Sequence, residues 1–179
     1  VVDKEDGSGS YVVVFLDRSD NHYPVAQVRH ILIKAVADSD GSYTDKAKEI
    51  AKNRAEELLA EFNAGDKTED SFAELAKDYS EDTGSAENGG LYDAVYKGAT
   101  VEEFDRFCFE GHKKGDTAIV YGESSSYAGY HVMYYVGEGD LYSNLLAKND
   151  LVNTTVSQWL EDQVNALTVT NAWWLRIAG

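Results

Sequence analysis

Apolar positions along the chain follow two periodicities, and these predict which segments are strands and which are helices. Near-continuous apolar runs, typical of buried strands, lie at 11–16, about 26–34, about 117–121 and from 129 onward. Apolar residues three to four positions apart predict helices over about 45–63, from 71, from 100 and over about 151–167. This order of strands and helices favours an α+β fold with an antiparallel sheet.

The first predicted helix has a clear apolar face, and the next two begin with capping sequences. Thr44 or Asp45 is suited to cap the helix over 45–63, and Gly65 is suited to end it. Ser71 and Thr100 each precede a glutamate by three residues, which is the capping-box spacing. The positions of these helices that we expect to face the core are Ala47, Ile50, Ala51, Ala55, Leu58, Leu59, Phe62, Phe72, Leu75, Ala76, Tyr79, Val101 and Phe104.

Two of the predicted strands carry a single histidine inside an otherwise apolar run. His30 lies within the run 28–33, and His131 lies within the run 129–134, about a hundred residues later. An imidazole in the interior of a sheet must find hydrogen-bond partners or raise the energy of the fold. We therefore expect the two histidines to face one another.

The composition limits both the size of the fold and the class of partner. With 179 residues, of which 43% are hydrophobic, the chain can form one packed domain with appendages. The formal net charge of −16 disfavours nucleic acid and other anionic partners, whose phosphates would be repelled. Cys108 is the single cysteine, so neither an internal disulfide nor a thiolate metal site is expected.

The two ends of the sequence suggest a segment of a longer protein. The chain begins at Val1 with neither an initiator methionine nor a signal sequence. No run approaches the ~20 apolar residues of a membrane span, so we expect a membrane link only through an anchor outside this sequence. The tail 173–175 is apolar and is expected to pack against another segment.

Several short motifs occur in a fixed order over residues of about 26–137, and together they carry a family resemblance. They are Arg29-His30-Ile31-Leu32-Ile33-Lys34, Ser71-Phe72-Ala73-Glu74-Leu75-Ala76, Tyr79-Ser80-Glu81-Asp82, Gly89-Gly90, Gly115-Asp116 and Gly129-Tyr130-His131. This segment resembles the parvulin-type peptidyl-prolyl cis/trans isomerases, especially the domains of bacterial extracytoplasmic foldases of the PrsA and SurA kind.

The resemblance implies a fold and a domain organisation. The fold is a parvulin-like member of the FKBP-like superfold, a four-stranded antiparallel sheet with surrounding helices. It carries an additional N-terminal strand and a C-terminal helical extension. The expected division is a lead-in over 1–24, the isomerase domain over 25–140 and the extension over 141–179.

The resemblance also implies the site. His30, Asp82 and His131 fall on the catalytic positions, with the two histidines at the floor. The positions that line the prolyl pocket carry Phe104, Phe109, Thr100 and Tyr92, the last two where methionine and leucine are common; Met133 is a further apolar candidate. Ala128 replaces a hydroxyl residue of the family, and Ser126 or Tyr127 is a candidate substitute.

The expected chemistry is rotation of the Xaa-Pro bond without a covalent intermediate. The barrier of ~18–20 kcal/mol reflects amide resonance, so a site that stabilises the twisted amide and excludes water suffices. Aspartate at position 82 provides no thiol nucleophile. No cofactor and no metal are expected, since two histidines and one carboxylate here lack the close His-x-Asp/Glu pair of such metal sites.

Structural readings of the same residues stay open. The histidines can serve mainly to cross-link the sheet, Asp82 can be a turn residue, and Phe104 and Phe109 can be ordinary core residues. The altered pocket positions favour a second hypothesis, a catalytically weak or inactive client-binding chaperone of parvulin fold. A third hypothesis is a spacer or assembly domain.

The expected partners are unfolded or partly folded proline-containing polypeptides of the cell envelope or exterior. Family members specific for phosphorylated substrates carry a basic cluster after the first histidine strand. The corresponding loop here, 36–41, contains Asp38 and Asp40 and would repel phosphate. The sequence leaves the oligomeric state open.

Overall fold

A computed structural model describes residues 2–3, 10–11 and 20–167 of the chain. Near the N-terminus, β1 (Val2–Asp3) pairs antiparallel with β2 (Ser10–Tyr11). Most of the strand expected over 11–16 and the apolar tail 173–175 lie outside the described residues.

The main sheet has four antiparallel strands: β3 (Pro24–Lys34), β4 (Leu91–Val95), β5 (Thr117–Glu123) and β6 (Ala128–Leu141). Their order across the sheet is β4-β3-β6-β5, so the two histidine strands are its centre. In their register His30 lies opposite Met133, and Leu32 lies opposite His131. The α+β class and the antiparallel sheet predicted from the sequence are confirmed.

Strand β4 is absent from the strands that the apolar pattern predicts. It is an edge strand with three exposed residues in its middle, so it has no apolar run to mark it.

Helices cover both faces of this sheet. They are α1 (Asp45–Ala64), α2 (Glu69–Tyr79), α3 (Glu102–Phe109) and α4 (Tyr142–Ala166), with one short 3₁₀ turn, Ala86–Asn88. Helices α1 and α2 close one face over a core that includes Ile31, Leu58, Phe62, Phe72 and Tyr134. Helix α3 covers part of the other face over Val28, Phe104, Phe107, Met133 and Tyr135.

The helix starts agree with the sequence for α1 and differ for the next two. The Thr44 hydroxyl accepts a hydrogen bond from the Ala47 N–H at 3.3 Å, as expected of an N-cap. Helix α2 begins earlier than predicted, because Thr68 is the cap and Ser71 completes the capping box from inside the helix. Helix α3 has Val101 at its N-cap and no side-chain cap, so the capping box predicted from Thr100 does not form.

Helix α4 follows β6 directly and begins earlier than the predicted start near 151. It has no buried residue, and its exposed apolar side chains include Leu151, Val156, Trp159 and Leu160. Over the described ranges, no helix combines the length and the apolar character that crossing a membrane requires. The division of the chain at 24/25 and 140/141 stays a prediction.

Candidate active site

The two histidines meet at the centre of the sheet. His30 on β3 and His131 on β6 are 2% and 4% exposed, and their Nδ1 atoms are 3.0 Å apart. Adjacent antiparallel strands bring them together, because both side chains point to the face of the sheet that α3 covers. The structure thus provides each buried imidazole with a polar partner.

Asp82 lies at the other edge of His30 and accepts several hydrogen bonds. Its Oδ2 is 3.0 Å from His30 Nε2, and it accepts from the Ser85 hydroxyl at 2.6 Å and from the Tyr92 hydroxyl at 3.1 Å. The Gly84 N–H donates to Oδ1 at 3.2 Å. These bonds, that of His30 foremost, hold the pKa of Asp82 well below its usual range, so the side chain is ionised.

A glycine pair and an arginine attach the Asp82 loop to β3. The backbone of Gly90 has a φ of +70°, and a Cβ there would lie 2.1 Å from the His30 carbonyl oxygen. The His30 N–H in turn donates to the Gly90 carbonyl at 2.9 Å. The Arg29 guanidinium donates to the carbonyls of Asn88 and Gly89, each at 2.9 Å. These backbone contacts fix the loop that carries Asp82 beside the sheet.

Tyr127 completes the site at the far side of His131. Its hydroxyl is 3.0 Å from His131 Nε2. Gly122 on β5 makes room for this contact, since a Cβ there would lie 2.7 Å from His131 Nε2 and 3.0 Å from the Tyr127 hydroxyl. Burial, together with the nearby His30, lowers the pKa of His131 to about 3, so this imidazole is neutral.

The partners determine where the protons lie in this network. Ionised Asp82 only accepts hydrogen bonds, so His30 Nε2 carries a proton, and a single proton occupies the contact between the two Nδ1 atoms. When both imidazoles are neutral, His131 donates from Nδ1 and accepts the Tyr127 hydroxyl proton at Nε2. The hydrogen bonds then run in one direction, from Tyr127 through both histidines to Asp82.

An aromatic pocket of about 340 Å³ lies over this network. Phe104 meets both imidazoles edge-on, with ring centroids 5.4 Å from His30 and 5.3 Å from His131. Tyr92 forms a second wall, 4.9 Å from His30 between ring centroids. The residues that line the pocket are His30, Tyr92, Ala99, Thr100, Val101, Phe104, Tyr127 and His131. Its size and mixed apolar and polar lining suit a small apolar ring with an adjoining polar group.

The structure places two predicted pocket residues elsewhere. Phe109 packs edge-on against Tyr23 at 5.9 Å, because it lies five residues, or about 140° of helical turn, beyond Phe104 on α3. Met133 is fully buried in the apolar cluster between the sheet and α3. Neither residue is among those that line the pocket.

Two residues of the site are not predictable from the sequence pattern, and a third is left open by it. Ser85 is buried and bonds to Asp82, and the turn from Asp82 to Ser85 is its only local signal. Gly122 interrupts an apolar strand, which often marks a close approach. Of the two candidate hydroxyl residues near position 128, Tyr127 contacts the histidine, whereas Ser126 bonds to Ser124. Thr100 borders the pocket with a buried hydroxyl that has no hydrogen-bond partner among the described residues.

Metal binding has no structural support in the part of the chain that the structure describes. No three or more His, Cys, Asp or Glu side chains there are grouped so that they could hold a metal ion. His30 already uses both nitrogens, toward His131 and Asp82.

Comparison with known proteins assigns this chain to a family. Residues 13–136 match the profile described as a PPIC-type PPIase domain, which is more than half of the chain. The foldase protein PrsA 3 of Bacillus anthracis is 29% identical over 159 residues, covering 84% of this chain and 48% of its own length. The foldase protein PrsA of Staphylococcus aureus (strain Newman) is 34% identical over 139 residues, covering 78% of this chain and 40% of its own length.

A chaperone and a solved structure complete the comparison. The chaperone SurA of Alcanivorax borkumensis is 37% identical over 103 residues, covering 56% of this chain and 21% of its own length. A crystal structure of the peptidylprolyl isomerase PrsA from Bacillus anthracis matches with a TM-score of 0.48 and 24% identity, covering 85% of this chain and 64% of that one. The chain spans about half the length, or less, of these curated relatives. It belongs to the family of PPIC-type peptidyl-prolyl isomerase domains.

Proposed function

We propose that this protein catalyses cis/trans isomerisation of Xaa-Pro bonds in unphosphorylated, unfolded polypeptides, and that residues 25–140 form its isomerase domain. The observation that supports it most is the aromatic pocket of about 340 Å³ placed directly over two buried histidines and their partner Asp82. Uncatalysed isomerisation takes roughly tens to hundreds of seconds, slow enough to limit folding. A domain with this activity serves as a foldase.

Each wall of the pocket has a distinct role in this proposal. Phe104 and Tyr92 hold the prolyl ring, with Thr100 at the border of the pocket. His30, His131 and Asp82 form a rigid polar floor that stabilises the twisted amide without rearranging. The aromatic walls exclude water, which strengthens these interactions.

The proposed mechanism forms no covalent bond to the substrate. Cys108 is the single cysteine of the sequence, and its side chain is buried in the apolar cluster beneath α3. Burial raises the pKa of its thiol to about 12, so it is not a thiolate at neutral pH. Asp82 is ionised but fully occupied by donors, which makes it a positioning group for His30 and not an attacking one.

The substrate class and location rest on charge and on the relatives. Asp38 and Asp40 are exposed in the loop after β3, and they disfavour a phosphorylated residue before proline. The names foldase and chaperone among the relatives support client polypeptides as partners. We extend this to clients outside the cytoplasm, with any membrane attachment through an anchor beyond this sequence.

A matched pair of phenylalanines on α3 tests the proposal in a protease-coupled assay on an Xaa-Pro peptide. Phe104→Ala is expected to lower the catalysed rate by about tenfold or more, since it removes one wall of the pocket. Phe109→Ala, which changes the same residue type outside the pocket, is expected to retain the wild-type rate. Equal losses in both variants, or no catalysis by the folded wild-type protein, would contradict the proposal.

A client-binding module without turnover is the second candidate. It is favoured by Tyr92, whose side chain forms the rim of the pocket and whose hydroxyl bonds to Asp82, where the family has an aliphatic residue. This reading predicts that the protein suppresses aggregation of a proline-free client and that Phe104→Ala leaves this suppression unchanged. Loss of suppression in Phe104→Ala would argue against it.

A further inference from the structure

We propose that a second groove on the opposite side of the sheet binds extended, acidic and apolar polypeptide segments, with or without proline. This α1 groove lies between α1, the end of β3 and the end of α2, and six of its lining residues carry the argument: Lys34, Val36, Ile50, Arg54, Tyr79 and Glu81. Its volume of about 320 Å³ is close to that of the pocket over the histidines, and the two share no lining residue.

The first reason is an unusual concentration of exposed apolar side chains. Val36, Ile50 and Tyr79 are 79%, 60% and 39% exposed. Helical spacing predicts that Ile50 and Tyr79 face the core, but the structure turns both toward the groove. An apolar cleft at the surface is typical of a site that binds another chain.

The second reason is the charge around the groove. The protein has a formal net charge of −16, yet the groove is lined by Lys34 and Arg54 and by one carboxylate, Glu81. A second carboxylate, the exposed Glu57 outside the lining, pairs with Arg54 at 2.9 Å. Within the described ranges, Lys34 Nζ has no ion-pair partner. The Arg54 guanidinium lies 5.0 Å from the centroid of the Tyr79 ring, which keeps it at the groove wall. A ligand carboxylate is therefore complementary to the Lys34 ammonium, and it can compete with the exposed Glu57 for Arg54.

The third reason is an unfinished strand edge. On the side of β3 away from β6, strand β4 pairs only with Ala26–Arg29. Further along, residues 80 and 81 take its place. The Ser80 hydroxyl accepts from the Leu32 N–H at 3.1 Å, the Glu81 N–H donates to the Leu32 carbonyl at 2.8 Å, and the Glu81 carboxylate accepts from the Lys34 N–H. A side chain therefore occupies a backbone donor that a neighbouring strand would otherwise use. A carbonyl of an extended peptide can replace this carboxylate at the Lys34 N–H, with alternate side chains of the peptide entering the apolar groove.

These observations favour one occupant, an unfolded client segment in which aliphatic residues alternate with acidic ones. The alternation follows from strand geometry, which directs every second side chain into the groove and leaves the others beside Lys34 and Arg54. Because the groove lies outside the isomerase pocket, this inference holds whether or not the pocket catalyses isomerisation.

Fluorescence anisotropy with a labelled, proline-free ten-residue peptide of alternating valine and glutamate tests it. Arg54→Glu is expected to weaken binding about fivefold by turning attraction into repulsion. Glu81→Ala is expected to tighten binding by a similar factor, since it removes the competing carboxylate and frees the Lys34 N–H. Substitutions at two residues of one groove that change the affinity in opposite directions cannot both result from a general loss of folding.

Two controls make the outcome decisive. Ile50→Ser is expected to weaken binding, whereas Leu151→Ser, a comparably exposed apolar residue on α4, is expected to leave it unchanged. A peptide of alternating valine and lysine is expected to bind at least about fivefold more weakly than the valine–glutamate peptide. Equal binding of both peptides, equal effects of the two serine variants, or no binding at millimolar peptide would overturn the inference.

Discussion

The two faces of one sheet show how the same strands can supply both stability and a site. On the face toward α1 and α2, alternate residues such as Ile31, Ile33 and Val132 are buried in a closed apolar core. On the other face, the intervening positions include His30 and His131, and α3 leaves a pocket open above them. Because successive side chains of a strand point to opposite faces, one strand contributes both to the apolar core and to the pocket.

The two faces of the sheet should also differ in how well they tolerate substitution of their side chains. The apolar core depends on volume and contact, so other side chains of similar shape can serve there. On the face toward α3, the histidine network depends on a directed set of hydrogen bonds. Removal of one member of this network leaves another buried group unsatisfied. Mutations on the two faces should therefore have different signatures.

The largest effect on stability is expected from the closed face. Phe72 is fully buried and contacts the rings of Phe62 and Tyr134, at centroid distances of 5.3 Å each. Phe72→Ala should lower the free energy of unfolding by about 3–5 kcal/mol, measured by urea titration. The catalytic rate of the fraction that stays folded should be unchanged; a specific loss of rate would mean that the faces are not separate.

The pH dependence of the free energy of unfolding should come from the histidine network on the face toward α3. The pKa of His131 falls from its usual 6.5 to about 3 on folding, so between these values the unfolded chain binds a proton that the folded chain does not. Stability is then complete above pH 6.5 and decreases as the pH falls, by up to about 1.4 kcal/mol per pH unit.

The lowered pKa of Asp82 adds to this loss, with the same sign, as the pH falls below the usual range of a carboxyl group. Urea titrations at a series of pH values measure the slope. The variant His131→Asn should lose most of the slope between pH 6.5 and 4. An equal slope in the variant and the wild type would show that His131 is not the group responsible.

A smaller effect is expected from the end of the hydrogen-bond network. Tyr127→Phe removes the donor to His131 Nε2 while keeping the ring, so it should reduce stability by about 1 kcal/mol. It should also shift the ¹⁵N resonance of His131 Nε2, which loses its hydrogen-bond donor, while Nδ1 keeps its proton toward His30. Ser126→Ala is the control, because Ser124 is the hydrogen-bond partner of Ser126 among the described residues, and the imidazole shifts of this variant should match the wild type.

The smallest effect is expected from the exposed charges of α3. Arg106 forms ion pairs with Glu102, Glu103 and Glu110, and all four side chains are well exposed. Arg106→Gln should change the free energy of unfolding by less than about 1 kcal/mol and leave the isomerase rate unaltered. A large loss of rate would instead connect the outer surface of α3 to the pocket.

The strong periodic elements of the fold were predictable from the sequence. Strands β3 and β6 and helix α1 each carry a long uniform signal, because both sides of the strands and one side of the helix are buried. Strand β4 was missed because an edge strand with exposed residues has no such signal. The sequence predicts Ser71 as the cap of α2, because serine suits both the N-cap and the N3 position of a capping box. In the structure Thr68 is the N-cap and Ser71 occupies N3.

The candidate site was predictable where the chemistry itself is unusual. A histidine inside an apolar strand stands out, and the structure brings His30, His131 and Asp82 together. Aromatic residues on an amphipathic helix do not stand out in this way, so Phe104 and Phe109 could be separated only by the helix orientation. Ser85 contacts His30, 55 positions away in the sequence, and Gly122 borders His131 only because strands β5 and β6 pair, so a local pattern encodes neither role.

The central claim is that the pocket over the histidines speeds rotation of the Xaa-Pro bond, and NMR exchange spectroscopy on a single Xaa-Pro peptide tests it most directly. At substoichiometric protein, the account predicts cis/trans exchange cross-peaks whose rate rises in proportion to protein concentration. The uncatalysed peptide exchanges over roughly tens to hundreds of seconds and shows none. Peptide signals that shift on binding, with an exchange rate equal to that in buffer, would contradict the claim and leave a client-binding domain without turnover.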